Sequence, residues 1–529
     1  MKKKRLERLY SNLKRKFIIP AITITMVTTM LTACNSTSNK NDNTTKATAS
    51  TTNTTDASSE KNETIKNTND GEHAIEVDGK KASYENVNVT KTGDSSENDE
   101  ADFYGDNSAV FATNKATLDL SNINVSTNGA HANAVFSYGE GTTVNISDST
   151  IETSGNCSGG LMTTGGGTMN ATNVTIKTSG NSSAAIRSDR GGGIVTVTGG
   201  SFETSGTGSP SIYSTADITV NDATLTSNTS EGIVIEGKNS VSLNNCNLTA
   251  NNTKHNSDKS NVYKGIMIYQ SMSGDADNGK SAFAATDGSI TNKKGDVFFV
   301  NNTSTDINLE NVTITNEDTT GVFLRAEAAG WGNEGSNGGK VNLNATNQAI
   351  DGNIIVDDIS ILNMYLKDGS LYTGAINADK SSGQIYVELD ENSTWTLTGD
   401  SYISGLTCSE KSINLNGHKL YIDGKEYKEG SASTGEAIEI KEEANTNGNS
   451  QGMDKPDGNP PSGEKPDGEP PEKPDGSNDN KPSGNPPGDG ETPPAKPDGD
   501  NAPPDKTDGN SNSNSNNNSN NNSNDSSTT

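Results

Sequence analysis

One tripeptide and its spacing constrain this chain more than any other feature. Thr127-Asn128-Gly129, Thr153-Ser154-Gly155, Thr178-Ser179-Gly180 and Thr204-Ser205-Gly206 recur, followed by the degenerate Thr226-Ser227-Asn228 and Thr249-Ala250-Asn251. Successive Thr residues are 26, 25, 26, 22 and 23 positions apart. Eight residues after each of the first five stands an apolar residue: Val135, Leu161, Ile186, Ile212 and Val234. A fixed period of this size marks a solenoid, whose units bury their apolar faces only against neighbours.

Each unit divides again. Before Thr153, Ala134-Val135-Phe136-Ser137 precedes a Gly turn at residues 138–141, then Thr143-Val144-Asn145-Ile146-Ser147, then Ser149-Thr150-Ile151-Glu152. Apolar residues alternate with Thr, Ser or Asn at period 2, which reads as strand, and Gly, Asn and Asp between the runs read as turns. No period of 3.6 interrupts them. Three short strands per turn of about 24 residues is the arithmetic of a parallel β-helix, with equivalent residues stacked about 4.8 Å apart. The expected fold class is all-β, a parallel β-helix solenoid over residues 71–428 with about 12–15 rungs.

Hydrophobic residues make up 28% of the chain, far below the usual share of about 45–50%. Spread evenly, that deficit would predict disorder. It is concentrated at the ends instead, and a narrow solenoid needs less core per residue than a globule. Residues 34–70 are almost wholly Ser, Thr, Asn, Lys, Asp and Ala and are expected to be a disordered linker. Residues 429–529 turn acidic and then repeat Lys-Pro-Asp-Gly at Lys455, Lys465, Lys473 and Lys496 before an Asn/Ser run; this predicts an extended, solvated tail.

The N-terminus carries a basic stretch from Lys2 to Lys16, an apolar run from Phe17, and Leu31-Thr32-Ala33-Cys34. Residues 1–33 therefore read as a secretory signal. The Leu-Thr-Ala-Cys sequence resembles the lipobox of bacterial lipoproteins, which implies diacylation of Cys34 and anchorage on the extracellular face of the cell membrane. Removing residues 1–33 takes away eight basic groups and one acidic group, so the formal charge falls from −28 to −35. Such acidity excludes nucleic acid as a partner. The other cysteines, Cys157, Cys246 and Cys408, lie too many rungs apart to pair and are expected to be free thiols.

Several stretches break the repeat: Ser183-Ala184-Ala185-Ile186-Arg187-Ser188-Asp189-Arg190 with its three following glycines, Gly265-Ile266-Met267-Ile268-Tyr269-Gln270 running on to Ala276, and Trp331-Gly332-Asn333. With these the chain resembles right-handed parallel β-helix proteins of the pectate-lyase-like superfamily, and more narrowly the adhesin-like, carbohydrate-binding surface lipoproteins of clostridial type. The resemblance covers about two-thirds of the chain. It implies a monomeric, lipid-anchored, non-catalytic protein that binds a polysaccharide or a host or cell-surface glycan. The alternatives are a uronate lyase using Ca²⁺ and a passive surface spacer.

Candidate ligand-binding residues follow from the chemistry each class requires. A lyase needs a basic group beside a cation held by carboxylates, which points to Arg187, Asp189 and Arg190. Sugar rings stack on aromatics, which points to Trp331 in its Gly-rich loop and to Tyr269 beside Gln270. No catalytic set is assigned: Asp357-Asp358 is the one tempting carboxylate pair, and His73, His131, His255 and His418 are scattered. Ca²⁺ is the plausible cofactor, with Asp275 and Asp277 alternating before Gly279 as in a calcium loop and the acidic loop from Asp94 to Asp106 as a second candidate. Trp395, flanked by Thr on both sides, is expected in the core.

Overall fold

The computed structural model describes residues 63–95 and 99–441. The signal segment, Cys34, most of the expected linker and the tail beyond residue 441 lie outside them. Within them the chain winds into a parallel β-helix of three strand columns. The first column is an eleven-stranded parallel sheet that starts at Ile75–Asp78 and Val110–Thr113 and ends at Leu324–Ala326 and Ile354–Val356. It continues through a bridge from Ile354 to Ile376, then Ser401–Ile403 and Leu420–Ile422. The second and third columns merge where Gly167–Thr178 and Gly193–Thr204 run unbroken from one into the other.

The alternation read in the sequence is the alternation of the pleat. Ile75, Val110, Val135, Leu161, Ile186 and Ile212 occupy one register through the first column, all sealed from solvent. Leu118, Val144, Met169, Val195 and Ile218 do the same in the second. The bends between the second and third strands are made by residues in the left-handed region, single ones at Asn122, Asp148, Asn173, Asp222, Asn245 and Asn311 and pairs at Gly199-Gly200 and Asp287-Gly288. Asn and Asp tolerate that conformation best after Gly. Their side chains also bond along the axis, as from Asn173 Nδ2 to Asp148 Oδ1 at 3.1 Å.

The Thr-x-Gly marker has a structural cause in both of its fixed positions. The Thr points inward, and in the three copies after Thr127 its hydroxyl closes the next turn, donating from Thr153 to the Ser158 carbonyl at 2.6 Å and from Thr204 to the Ser209 carbonyl at 2.6 Å. At the Gly the coils approach so closely that a Cβ on Gly155 would stand 1.8 Å from the Gly129 carbonyl oxygen.

The register corrects the repeat in its later copies. Thr204 pairs with Ser227, not Thr226, and Ser227 pairs with Ala250, not Thr249. Ile212 pairs with Ile233, and Val234 stands beside Tyr213 on the outer side of the sheet. Position in a strand alternates between faces, so the slip of one residue exchanges core for surface. Val234 is therefore not a core position.

The boundaries also differ from expectation. Thr64–Asn67, assigned to the linker, is a strand that pairs with Asn88–Lys91. Packing extends past residue 428: Ser433 bridges Cys408, and the Ile438 amide donates to Asn363 Oδ1 at 2.9 Å. The acidic loop contains a short helix, Asp99–Tyr104. Trp395 is buried as expected, its indole donating to the Gly374 carbonyl at 2.9 Å.

Candidate functional site

The outward residues of the first column form their own ladder: Phe111, Phe136, Met162, Arg187, Tyr213, Val234, Met267, Phe299 and Arg325. A solvent-facing column this apolar must be covered, and residues from three insertions lie over it. Tyr104 of the short helix packs on Phe111, Phe136, Tyr138 and Met162. Val262, Ala329 and Trp331 pack on Val234, Met267, Tyr269 and Phe299. The insertions and the apolar column are thus two halves of one surface.

Under the second group a cleft of about 160 Å³ opens, lined by Tyr213, Val234, Lys264, Met267, Tyr269 and Trp331, with Glu231 and the His255–Ser260 segment at its edge. Trp331 meets Tyr269 edge to face, with ring centroids 5.3 Å apart. Tyr213 and Tyr269 both donate to the carboxylate of the buried Glu236, Tyr269 at 3.1 Å, and Ser271 donates to its other oxygen. Burial and the charge of Glu236 push both phenols well above their usual pKa, so they stay neutral donors.

Lys264 is the unusual member of the cleft. It is 3% exposed, and its ammonium makes no hydrogen bond or ion pair among the described residues. It lies 4.4 Å from the centre of the Phe299 ring and 5.6 Å from that of Trp331. Asp296, its partner in the strand ladder, is committed to Arg325 and to the Val322 amide. Burial lowers the Lys264 pKa, partly offset by Glu231, Asp296 and Glu327. Cation–π contacts stabilise a desolvated ammonium by about 2 kcal/mol, less than the several kcal/mol that burial of an ion costs.

The remaining sequence candidates lie elsewhere on the same face. Arg187 bridges two carboxylates, Asp102 at 3.0 Å and Asp189 at 2.8 Å. Burial alone would raise the Asp102 carboxyl, but Arg187, His131 and Asn133 together hold it below its usual value. Asp189, left with a shared Arg, is pushed up to about 6 by burial. Arg190 lies over the Phe103 ring at 3.8 Å and pairs with Asp275 at 3.0 Å. Asp277 pairs with Lys238 at the surface. Asp275 and Asp277 therefore answer cations from other coils rather than converge on a calcium ion. Asp94 accepts the Ala130 amide, and Asp357 accepts those of Ala328 and Ile359; both are turn caps. Gln270 is buried and fastens its insertion, donating to the Ala276 carbonyl.

Of the expected ligand residues, only Tyr269 and Trp331 meet in the cleft. Lys264, Tyr213 and Glu236 were not foreseen; the one signal was a Lys opening the apolar strand Lys264–Tyr269. Cys157, Cys246 and Cys408 are free thiols, as the rung count required. Comparison with protein-family models, curated proteins and solved structures yields no match to this chain, so its own geometry is what bears on what the cleft holds.

Proposed function

We propose that the protein is a lipid-anchored surface β-helix that binds acidic carbohydrate without cleaving it, as adhesin-like members of the pectate-lyase-like superfamily would. The observation that carries this is Lys264, 3% exposed and, among the described residues, without a counter-ion contact, in the lining of an aromatic cleft. A sugar ring stacks on Trp331 while its carboxylate or sulfate reaches Lys264. The volume is below the roughly 300–1,000 Å³ of sites that engulf drug-sized ligands, so one ring or a chain end enters and the rest lies along the face. The polar strands of the second column support this division of labour. Their side chains already bond one another, the Asn145 amide donating to the Asp119 carboxylate at 2.7 Å and the Asn170 amide to Asn145 Oδ1 at 2.9 Å.

One observation favours a second reading, a uronate lyase. A lysine of lowered pKa is a competent base, and it stands where Arg187 and Arg190, both engaged by carboxylates, do not. The two readings separate in one experiment. The full chain is applied to arrays of acidic and neutral polysaccharides, and the bound fraction is incubated while unsaturated product is followed by absorbance. Retention on acidic glycans without product supports binding, and product lost on Lys264→Met supports the lyase. Retention on none leaves a spacer.

A further inference from the structure

At the N-terminal end of the same face, a second cluster has no part in the cleft. A carboxylate oxygen of Asp102, a ring nitrogen of His131 and the sulfur of Cys157 all lie within 4.8 Å of one another. We propose that these three side chains form a zinc-binding site that fastens the short helix Asp99–Tyr104 to the solenoid.

The topology brings them together from three separate segments. His131 and Cys157 hold the same position in successive turns: the His131 amide donates to the Asn156 carbonyl at 2.9 Å, and the Cys157 amide to the Asn181 carbonyl at 2.8 Å. Both have φ of 55°, so their side chains leave the backbone alike, one strand spacing of about 4.8 Å apart. Asp102 comes down on them from the helix and is itself buried.

The donor set selects the metal. Thiolate, imidazole and carboxylate together suit zinc, whereas calcium requires six or more oxygens. His131 Nδ1 and Asp102 Oδ1 are 3.2 Å apart; bonds of about 2.0 Å at tetrahedral angles place such atoms about 3.3 Å apart. The sulfur lies within 4.8 Å of both, where bonds of about 2.3 and 2.0 Å at a tetrahedral angle require about 3.5 Å, so it has at most about 1.3 Å to close. His131 and Cys157 are half-buried, leaving a path for the ion and a fourth position for water.

The surrounding charges balance. Asp102 Oδ2 is taken by Arg187 at 3.0 Å, while Asn133 donates to Oδ1 at 3.2 Å. Arg187 in turn holds Asp189. With zinc bound, the Cys157 thiolate and Asp102 offset the ion, and Arg187 and Asp189 offset each other. Partners that orient a ligand carboxylate in this way are the usual support of a metal centre.

The test uses the full chain, reduced with a phosphine and stripped of metal, titrated with Co²⁺ as a spectroscopic stand-in and then with Zn²⁺. The expected result is one equivalent of Co²⁺ with a near-ultraviolet thiolate-to-cobalt band, displaced by Zn²⁺ and unaffected by Ca²⁺. The band is expected to vanish in Cys157→Ser and to persist in Cys34→Ser and Cys246→Ser. Ser is tolerated there because Ser182 makes the equivalent turn one coil on. His131→Asn, which keeps a residue suited to the left-handed region, is expected to weaken Zn²⁺ at least about tenfold. Wild type without a saturable cobalt band, or a band unchanged in Cys157→Ser, would overturn the proposal.

Discussion

Asp189→Asn is predicted to remove a pH dependence that the wild-type protein carries between about pH 4 and pH 7. Asp189 is 5% exposed, with Arg187 on one oxygen at 2.8 Å and the Arg190 amide on the other at 3.0 Å. Arg187 is shared with Asp102, which has His131 and Asn133 as well. Burial therefore outweighs attraction at Asp189, and its pKa rises to about 6 from 3.8. The sign follows from linkage. Below pH 4 both folded and unfolded states hold the proton, and the group contributes nothing. As pH rises, the unfolded state loses the proton first and is favoured, until the folded state ionises near pH 6. At about 1.4 kcal/mol per unit, the wild type loses on the order of 3 kcal/mol over this window. Asn mimics the protonated acid, and titrating groups remote from Asp189 cancel in the comparison. Urea denaturation of both proteins, stripped of metal, at pH 4 and pH 7.5 measures the difference. The variant should gain on the wild type by about 3 kcal/mol. A difference constant within about 0.5 kcal/mol, or one moving the other way, would refute the charge assignment.

Other outcomes can be stated more briefly. Ser227→Ala should cost about 1 kcal/mol by losing the bond to the Ser230 carbonyl, whereas Thr226→Ala, one residue away and facing out, should stay within about 0.5 kcal/mol; the reverse order in denaturant melts would restore the uncorrected register. Trp395→Ala should destabilise by about 3–5 kcal/mol without changing glycan retention. Labelled palmitate should enter the full chain in a lipoprotein-processing host, and label that survives Cys34→Ala would remove the anchor.

The solenoid was legible because its constraints are local. The inward residue of each strand, the left-handed Asn or Asp at each bend and the Thr-x-Gly closure all recur at one spacing, and each has a steric or hydrogen-bonding cause within its own coil. The site was less legible because it depends on register and on what covers what. Val234 shows this most clearly: reckoned as core from a period one residue out, it is a wall of the cleft. Lys264 reads as the polar start of a strand until Phe299 from the next coil and Trp331 from an insertion close over it. Arg187 and Asp189 could be paired by their proximity in sequence, but Asp102, 85 residues before Arg187, could not. Tyr269 and Trp331 were found because aromatics are scarce and both stand where the repeat is interrupted.

The chain has two tryptophans, one sealed in the core at Trp395 and one at the cleft in Trp331, so fluorescence reports on the proposed binding site. Titrating the full chain with an oligo-uronate and with its methyl ester tests the central claim most directly. The account predicts saturable quenching by the acid, strongly weakened for the ester and for Lys264→Met, and absent in Trp331→Ala. Equal quenching by acid and ester, unchanged in Lys264→Met, would contradict it.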